Sequence, residues 1–262
     1  MPSGRTTAIL GANERRQRSL GDATVDDTVA RRNFLRGAGT VVAAGLASIA
    51  PPPETKAADR PPPEQAAASP GPEPLLALSA TEAAFVSAAA DTMIPADELS
   101  PCGTDCGVVT YIDRQLAGAY GAGAKMYRNG PFRRGKPEQG YQLALTPREY
   151  FATGIAAANE WARRTFGKEF DRLSAADRIT ALSAMEQGKA EFQNFSAREF
   201  FGRLHAVIIE GFFSDPMYGG NRNKVGWTML GFPGLPATYA DQVDTYFNKR
   251  YVAPPKSIVD FS

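Results

Sequence analysis

The sequence predicts an all-α fold: a single compact multi-helix domain with long Gly- and Pro-rich loops, preceded by a leader and a Pro-rich linker. Three observations carry that expectation. Helix N-cap signatures recur, with a Ser or Thr followed three residues later by an acid, so that a side-chain oxygen accepts from an orphan N–H while the acid reaches back. Apolar residues repeat at spacings of three and four. No run alternates convincingly with period two.

Taken in order, Ser79 and Glu82 open a first helix striped by Phe85, Ala88, Ala89, Thr92 and Met93. Val108, Ile112, Leu116 and Ala119 stripe a second. Thr146 and Glu149, with Pro147 at the first helical position, open a third that carries Tyr150, Ile155, Ala158, Trp161 and Ala162. Ser174 and Asp177 open a fourth with Ile179, Leu182 and Met185. Ser196 and Glu199 open a fifth, whose Phe200, Phe201, Leu204, Val207, Ile208 and Phe212 make it the most apolar and therefore the central one. Tyr239, Val243, Tyr246 and Phe247 suggest a last helix.

The N-terminal third reads differently. Arg31 and Arg32 precede Phe34 and Leu35, and a mildly apolar run of about 13 residues follows, ending at Ala50. A membrane span needs about 20 apolar residues, so this fits the h-region of a signal peptide, with the arginine pair in the pattern of a twin-arginine export signal. Residues 51–74 hold nine prolines and read as an extended tether. The expected organisation is 1–58 leader and signal, 59–74 linker, and 75–262 folded domain. From Asp59 onward there are 21 Lys and Arg against 23 Asp and Glu. Without a basic excess, nucleic acid is not the expected partner.

Two long loops stand out. Residues 121–145 carry five glycines and two prolines, and include the cationic run Arg133–Lys136. Residues 214–236 carry five glycines and three prolines together with Tyr218, Trp227, Met229 and Phe232. Long loops in compact domains are often functional, and aromatic and Met side chains are what a partner surface favours. The second loop is expected to be ordered in part by its partner, with Tyr218, Trp227, Met229 and Phe232 as contacts. For Trp227 the competing role is packing in the chain's own core.

Catalytic material is sparse. The single histidine, His205, lies on the most apolar helix and is expected to be a hydrogen-bonded core residue. No C-x-x-C-H for covalent haem occurs. Cys102 and Cys106 are too few to hold an iron–sulfur cluster. In an exported protein a pair so close is expected to form a disulfide, with free thiols or a metal as the alternatives. Asp91, Asp97, Glu98, Asp105 and Asp113 lack the alternation of a calcium loop and read as a solvated rim. No metal or cofactor site and no catalytic residue is assigned to this chain.

The stretches "SATEAAFVSAAADTMIPADELSP", "EQGYQLALTPREY" and "FFSDPMYGGNRNKVGWTMLGFPG" resemble the gluconate 2-dehydrogenase subunit 3 family over about Ser79 to Tyr246. The resemblance implies the small, non-catalytic subunit of a bacterial membrane-associated dehydrogenase acting on gluconate or related sugars and polyols. It implies two partners, a large subunit that carries FAD and a multihaem cytochrome c. It also implies a periplasmic location at the inner membrane, reached through the twin-arginine translocase, with the small subunit escorting the large one. A self-sufficient periplasmic enzyme or small-ligand binder, with the two long loops lining a pocket, is the alternative.

Overall fold

The computed structural model describes residues 74–133, 135–136, 139–235 and 238–261. The chain divides into two units, Met1–Lys56 and Ala57–Ser262, and every described residue belongs to the second. Arg31, Arg32, Phe34 and Leu35, expected as the export signal, lie outside the described residues.

Seven α-helices are found among the described residues: α1 Ala80–Met93, α2 Val108–Ala117, α3 Pro147–Phe166, α4 Ala175–Glu186, α5 Ala197–Phe213, α6 Val225–Leu230 and α7 Ala240–Val243. There is no strand among them, and the only extended pairing is an isolated parallel bridge between Gly234 and Lys256. The cap signatures work as read. Ser79 and Thr146 form reciprocal capping boxes with Glu82 and Glu149. Ser174 and Ser196 accept from the backbone N–H of Asp177 and Glu199. Each such cap contributes about 1 kcal/mol.

Helix α5 packs against α2, α3, α4 and α6, while α1 packs against α2, α3, α4 and the 3₁₀ turn Phe170–Arg172. Between them sits an aromatic core. Phe85 lies 4.8 Å from Phe170 and 6.1 Å from Phe200, and Phe151 lies 6.4 Å from Phe200, centroid to centroid. All four rings are buried. Gly154 makes this possible: a Cβ there would run into the Phe200 ring, so the ring lies directly on the α3 backbone.

Several expectations are corrected. Ala119 lies beyond the end of α2 and is exposed. Ile179 is exposed, and Ala181 takes the buried position beside Leu182 and Met185 on α4. The last helix is a single turn whose Val243 faces solvent, as does Phe247 beyond it. The acids are not a uniform rim. Asp113 is buried, and its carboxylate accepts from the backbone N–H of Leu76, Ala77 and Leu78 at 2.7, 2.9 and 2.8 Å. Asp91 accepts from Thr104 N at 2.8 Å, and Asp97 from Leu99 N and Ser100 N at 2.8 and 3.0 Å. These carboxylates fasten loops, and Asp113 fixes the first described residues onto α2.

Candidate partner-binding surface

The chain leaves α5 at Ser214 and enters a block, residues 214–235, built from two 3₁₀ turns, Pro216–Tyr218 and Arg222–Lys224, and the short helix α6. The block is braced extensively by hydrogen bonds within its own chain. Asn221 is fully buried and adopts a left-handed backbone (φ 46°), a conformation that Asn tolerates better than other side chains. Its Nδ2 donates to Ser214 O at 2.9 Å, and its Oδ1 accepts from Gly226 N at 2.8 Å. One amide therefore ties the end of α5 to the start of α6. The next residue, Arg222, donates its N–H to Cys106 O at 3.0 Å and its guanidinium to Thr110 Oγ1 at 3.3 Å, which docks the block on the N-terminal part of α2. Gly107 and Gly219 meet there backbone to backbone. A Cβ on Gly107 would strike Gly219 O, and both glycines have positive φ.

Trp227 is buried, donates Nε1–H to Phe213 O at 2.8 Å and packs edge to face with Phe232 at 5.3 Å. It is an internal anchor, and its expected role as a contact at the surface is corrected. A buried indole finds a partner for its N–H, and here that partner is the last turn of α5. Tyr218 and Phe232 are exposed and Met229 is half-buried, so these three remain available to a partner. Trp227 supports Phe232 from beneath.

A C-terminal segment completes the block. Leu235 N donates to Lys256 O at 2.8 Å and Lys256 N to Pro233 O at 3.0 Å. The turn Ile258–Phe261 packs beside Pro216–Tyr218. Asp215 accepts from Met217 N with one oxygen and from Ile258 N with the other, both at 2.9 Å. Asp260 pairs with Lys224 at 2.5 Å and accepts from Ser257 N, and these donors hold its carboxyl below the usual range. The two neighbouring turns leave Met217, Tyr218, Ile258, Val259 and Phe261 exposed, and Leu230 and Phe232 are exposed at the end of α6. Nothing in the sequence spacing marks residues 256–261 as part of this surface. Their link to the block is made by backbone bonds between positions distant in sequence.

The remaining expected residues lie apart from it. Cys102 and Cys106 are not joined to each other, contrary to the expected disulfide. Cys106 N–H bonds Cys102 O within one helical turn. The buried Cys106 directs its Sγ at Pro101 O at 3.5 Å, away from a bond to its neighbour. Burial, helped by the neighbouring Asp91 and opposed by a backbone hydrogen bond at Asp105, pushes the Cys102 thiol up to about 11. His205 is half-buried on α5, stacked 6.1 Å from Phe201. Burial lowers its pKa, against the opposing pull of Glu186.

Two concavities flank the first described residues. The larger, about 430 Å³, is lined by Leu75–Ser79, Glu82, Leu116, Arg148, Phe151 and Ala152, and the smaller by Pro74, Leu75, Leu76, Thr110, Asp113 and Arg114. Neither is lined by the two long loops, which line a pocket in the alternative reading of a self-sufficient enzyme or ligand binder. Glu82 is engaged in its capping box and Asp113 in three backbone bonds. Among the described residues no group of His, Cys, Asp and Glu is arranged to hold a metal ion.

The described residues thus form a small helical domain with an internally braced block that leaves aromatic and aliphatic side chains exposed. The family model described as gluconate 2-dehydrogenase subunit 3 matches residues 80–234, from the first residue of α1 to the end of the braced block, and the chain belongs to that family. Comparison with curated proteins and with solved structures gives no match.

Proposed function

We propose that this chain is the non-catalytic small subunit of an FAD-dependent dehydrogenase complex acting on gluconate or a related sugar. In this reading it escorts the large, FAD-bearing subunit through the twin-arginine translocase and stabilises it in the periplasm. A multihaem cytochrome c then carries electrons to the inner membrane. The observation that carries the proposal is the family match over residues 80–234 coinciding with a block that ends in exposed Tyr218, Leu230 and Phe232. Exposed aromatic and aliphatic side chains on a braced backbone are the composition of a protein interface core. Among the described residues no helix is long and apolar enough to cross a membrane.

The test separates signal from scaffold. Arg31→Lys with Arg32→Lys keeps both charges but removes the guanidinium forks a receptor reads, and the complex is expected to remain in the cytoplasm. Tyr218→Asp with Phe232→Asp is expected to leave export of the chain intact while the large subunit fails to accompany it. Periplasmic delivery of the lysine variant, or normal assembly of the aspartate variant, contradicts the corresponding half of the proposal. Flavin and dehydrogenase activity in the chain purified alone would favour a self-sufficient enzyme.

A further inference from the structure

We propose that the loop 121–145 is a membrane-surface contact that rests the domain on anionic phospholipid headgroups. Three observations support this. The loop carries Lys125, Arg128, Arg133, Arg134 and Lys136 against the single acid Glu138, while the rest of residues 75–262 carries 15 Lys and Arg against 19 Asp and Glu. The loop thus carries a net charge of +4 (5 − 1) against −4 (15 − 19) for the rest of the domain.

Interleaved with these cations are two exposed rings, Tyr127 at 83% and Phe132 at 41% exposure. A dry protein interface must find a buried acid for every cation it covers. The headgroup layer solvates cations and accepts amphipathic rings at the same depth.

The loop is also firmly rooted. Tyr141 stacks on buried Tyr150 at 4.1 Å, lies beneath the Arg203 guanidinium at 4.9 Å and donates its hydroxyl to Leu145 O at 3.1 Å. Arg148 N donates to Gly121 O at 3.2 Å. The exposed rings and the exposed cations Lys125, Arg128, Arg133 and Lys136 are therefore presented from a fixed base. The loop leaves the C-terminal end of α2, whereas the block 214–235 docks on the N-terminal part of that helix, so lipid and a protein partner can be engaged together.

The experiment uses the full chain with vesicles of phosphatidylglycerol and phosphatidylcholine, compared with vesicles of phosphatidylcholine alone. Tyr127→Trp reports on the loop itself, independently of the arginine-rich leader. Its added emission is expected to shift to the blue and to be quenched by brominated lipid in the anionic vesicles only, and to lose both effects at high salt. Adding Arg133→Gln, Arg134→Gln and Lys136→Gln removes three cations, each contributing about fivefold in partition, and is expected to raise the lipid concentration for half-maximal response about a hundredfold. No shift or quench at vesicle concentrations that sediment the chain assigns the binding to the leader and overturns the proposal. An equal response to neutral vesicles, or a response to an acidic protein in place of lipid, overturns it as well.

Discussion

Replacing Asn221 measures how the partner surface is built. The side chain is fully buried, bridges Ser214 O and Gly226 N, and sits at φ 46°. Asn221→Gly keeps the backbone conformation accessible but orphans one acceptor and one donor, each costing about 1–3 kcal/mol, so a loss of about 2–6 kcal/mol is expected. Asn221→Ala adds a Cβ in the left-handed region, for about 1 kcal/mol more. Asn194 is the control, because it shares the positive φ (53°) but is exposed. Asn194→Ala is expected to show the backbone cost alone, and Asn194→Gly close to none. The assay is urea unfolding followed by circular dichroism and by tryptophan emission. For a domain of typical stability, about 5–15 kcal/mol, the Asn221 variants remain folded enough to measure. Asn221→Gly within 0.5 kcal/mol of the parent would refute the claim that this amide braces the block. Asn221→Ala no worse than Asn221→Gly would refute the backbone component.

Two further outcomes follow from buried groups. Asp113→Asn exchanges one accepting oxygen for an NH₂ that faces backbone donors, so at least one of the three charge-assisted bonds to Leu76, Ala77 and Leu78 is lost. The expected cost is about 2–3 kcal/mol, with earlier proteolysis near residues 75–78; unchanged stability and protease resistance would count against the latch. The Cys102 thiol, pushed up to about 11 chiefly by burial, is protonated at neutral pH. Since the thiolate is the nucleophile, alkylation at pH 8 is expected to run about a hundredfold slower than for an unperturbed thiol and to rise through pH 10; rapid labelling at pH 8 would contradict the partly buried environment.

The helices were legible because their signals are local. The oxygens of Ser79, Thr146, Ser174 and Ser196 act on N–H groups three residues away, and the stripe from Phe200 to Phe212 faces the core as its spacing requires. The block 214–235 was legible as important but not as structured. Its order rests on left-handed Asn221, Asn223 and Lys224 and on bonds to Cys106 and to residues 256–260, none of which is periodic. Asp113 reads as one acid among five until the chain at 76–78, at least 35 residues away in sequence, closes onto it. Trp227 had two readings that only burial separates, and the structure places it in the chain's own core. Ile179 fits the spacing of α4 yet faces solvent, because helix α4 buries a narrow face of Ala181, Leu182 and Met185.

The central claim is that this chain binds a flavoprotein through the surface of residues 215–261 and does no redox chemistry alone. The most direct measurement is affinity purification of the full chain, tagged at its C-terminus, from cells that also express the large subunit. Bound flavin is read by absorbance and chain ratio by mass spectrometry, for the parent and for Tyr218→Asp with Phe232→Asp. The account predicts a one-to-one yellow complex for the parent, and for the variant a colourless chain that melts at the parent temperature when purified alone. A variant that still brings down the flavoprotein, or a parent that is yellow and active with no partner present, would contradict it.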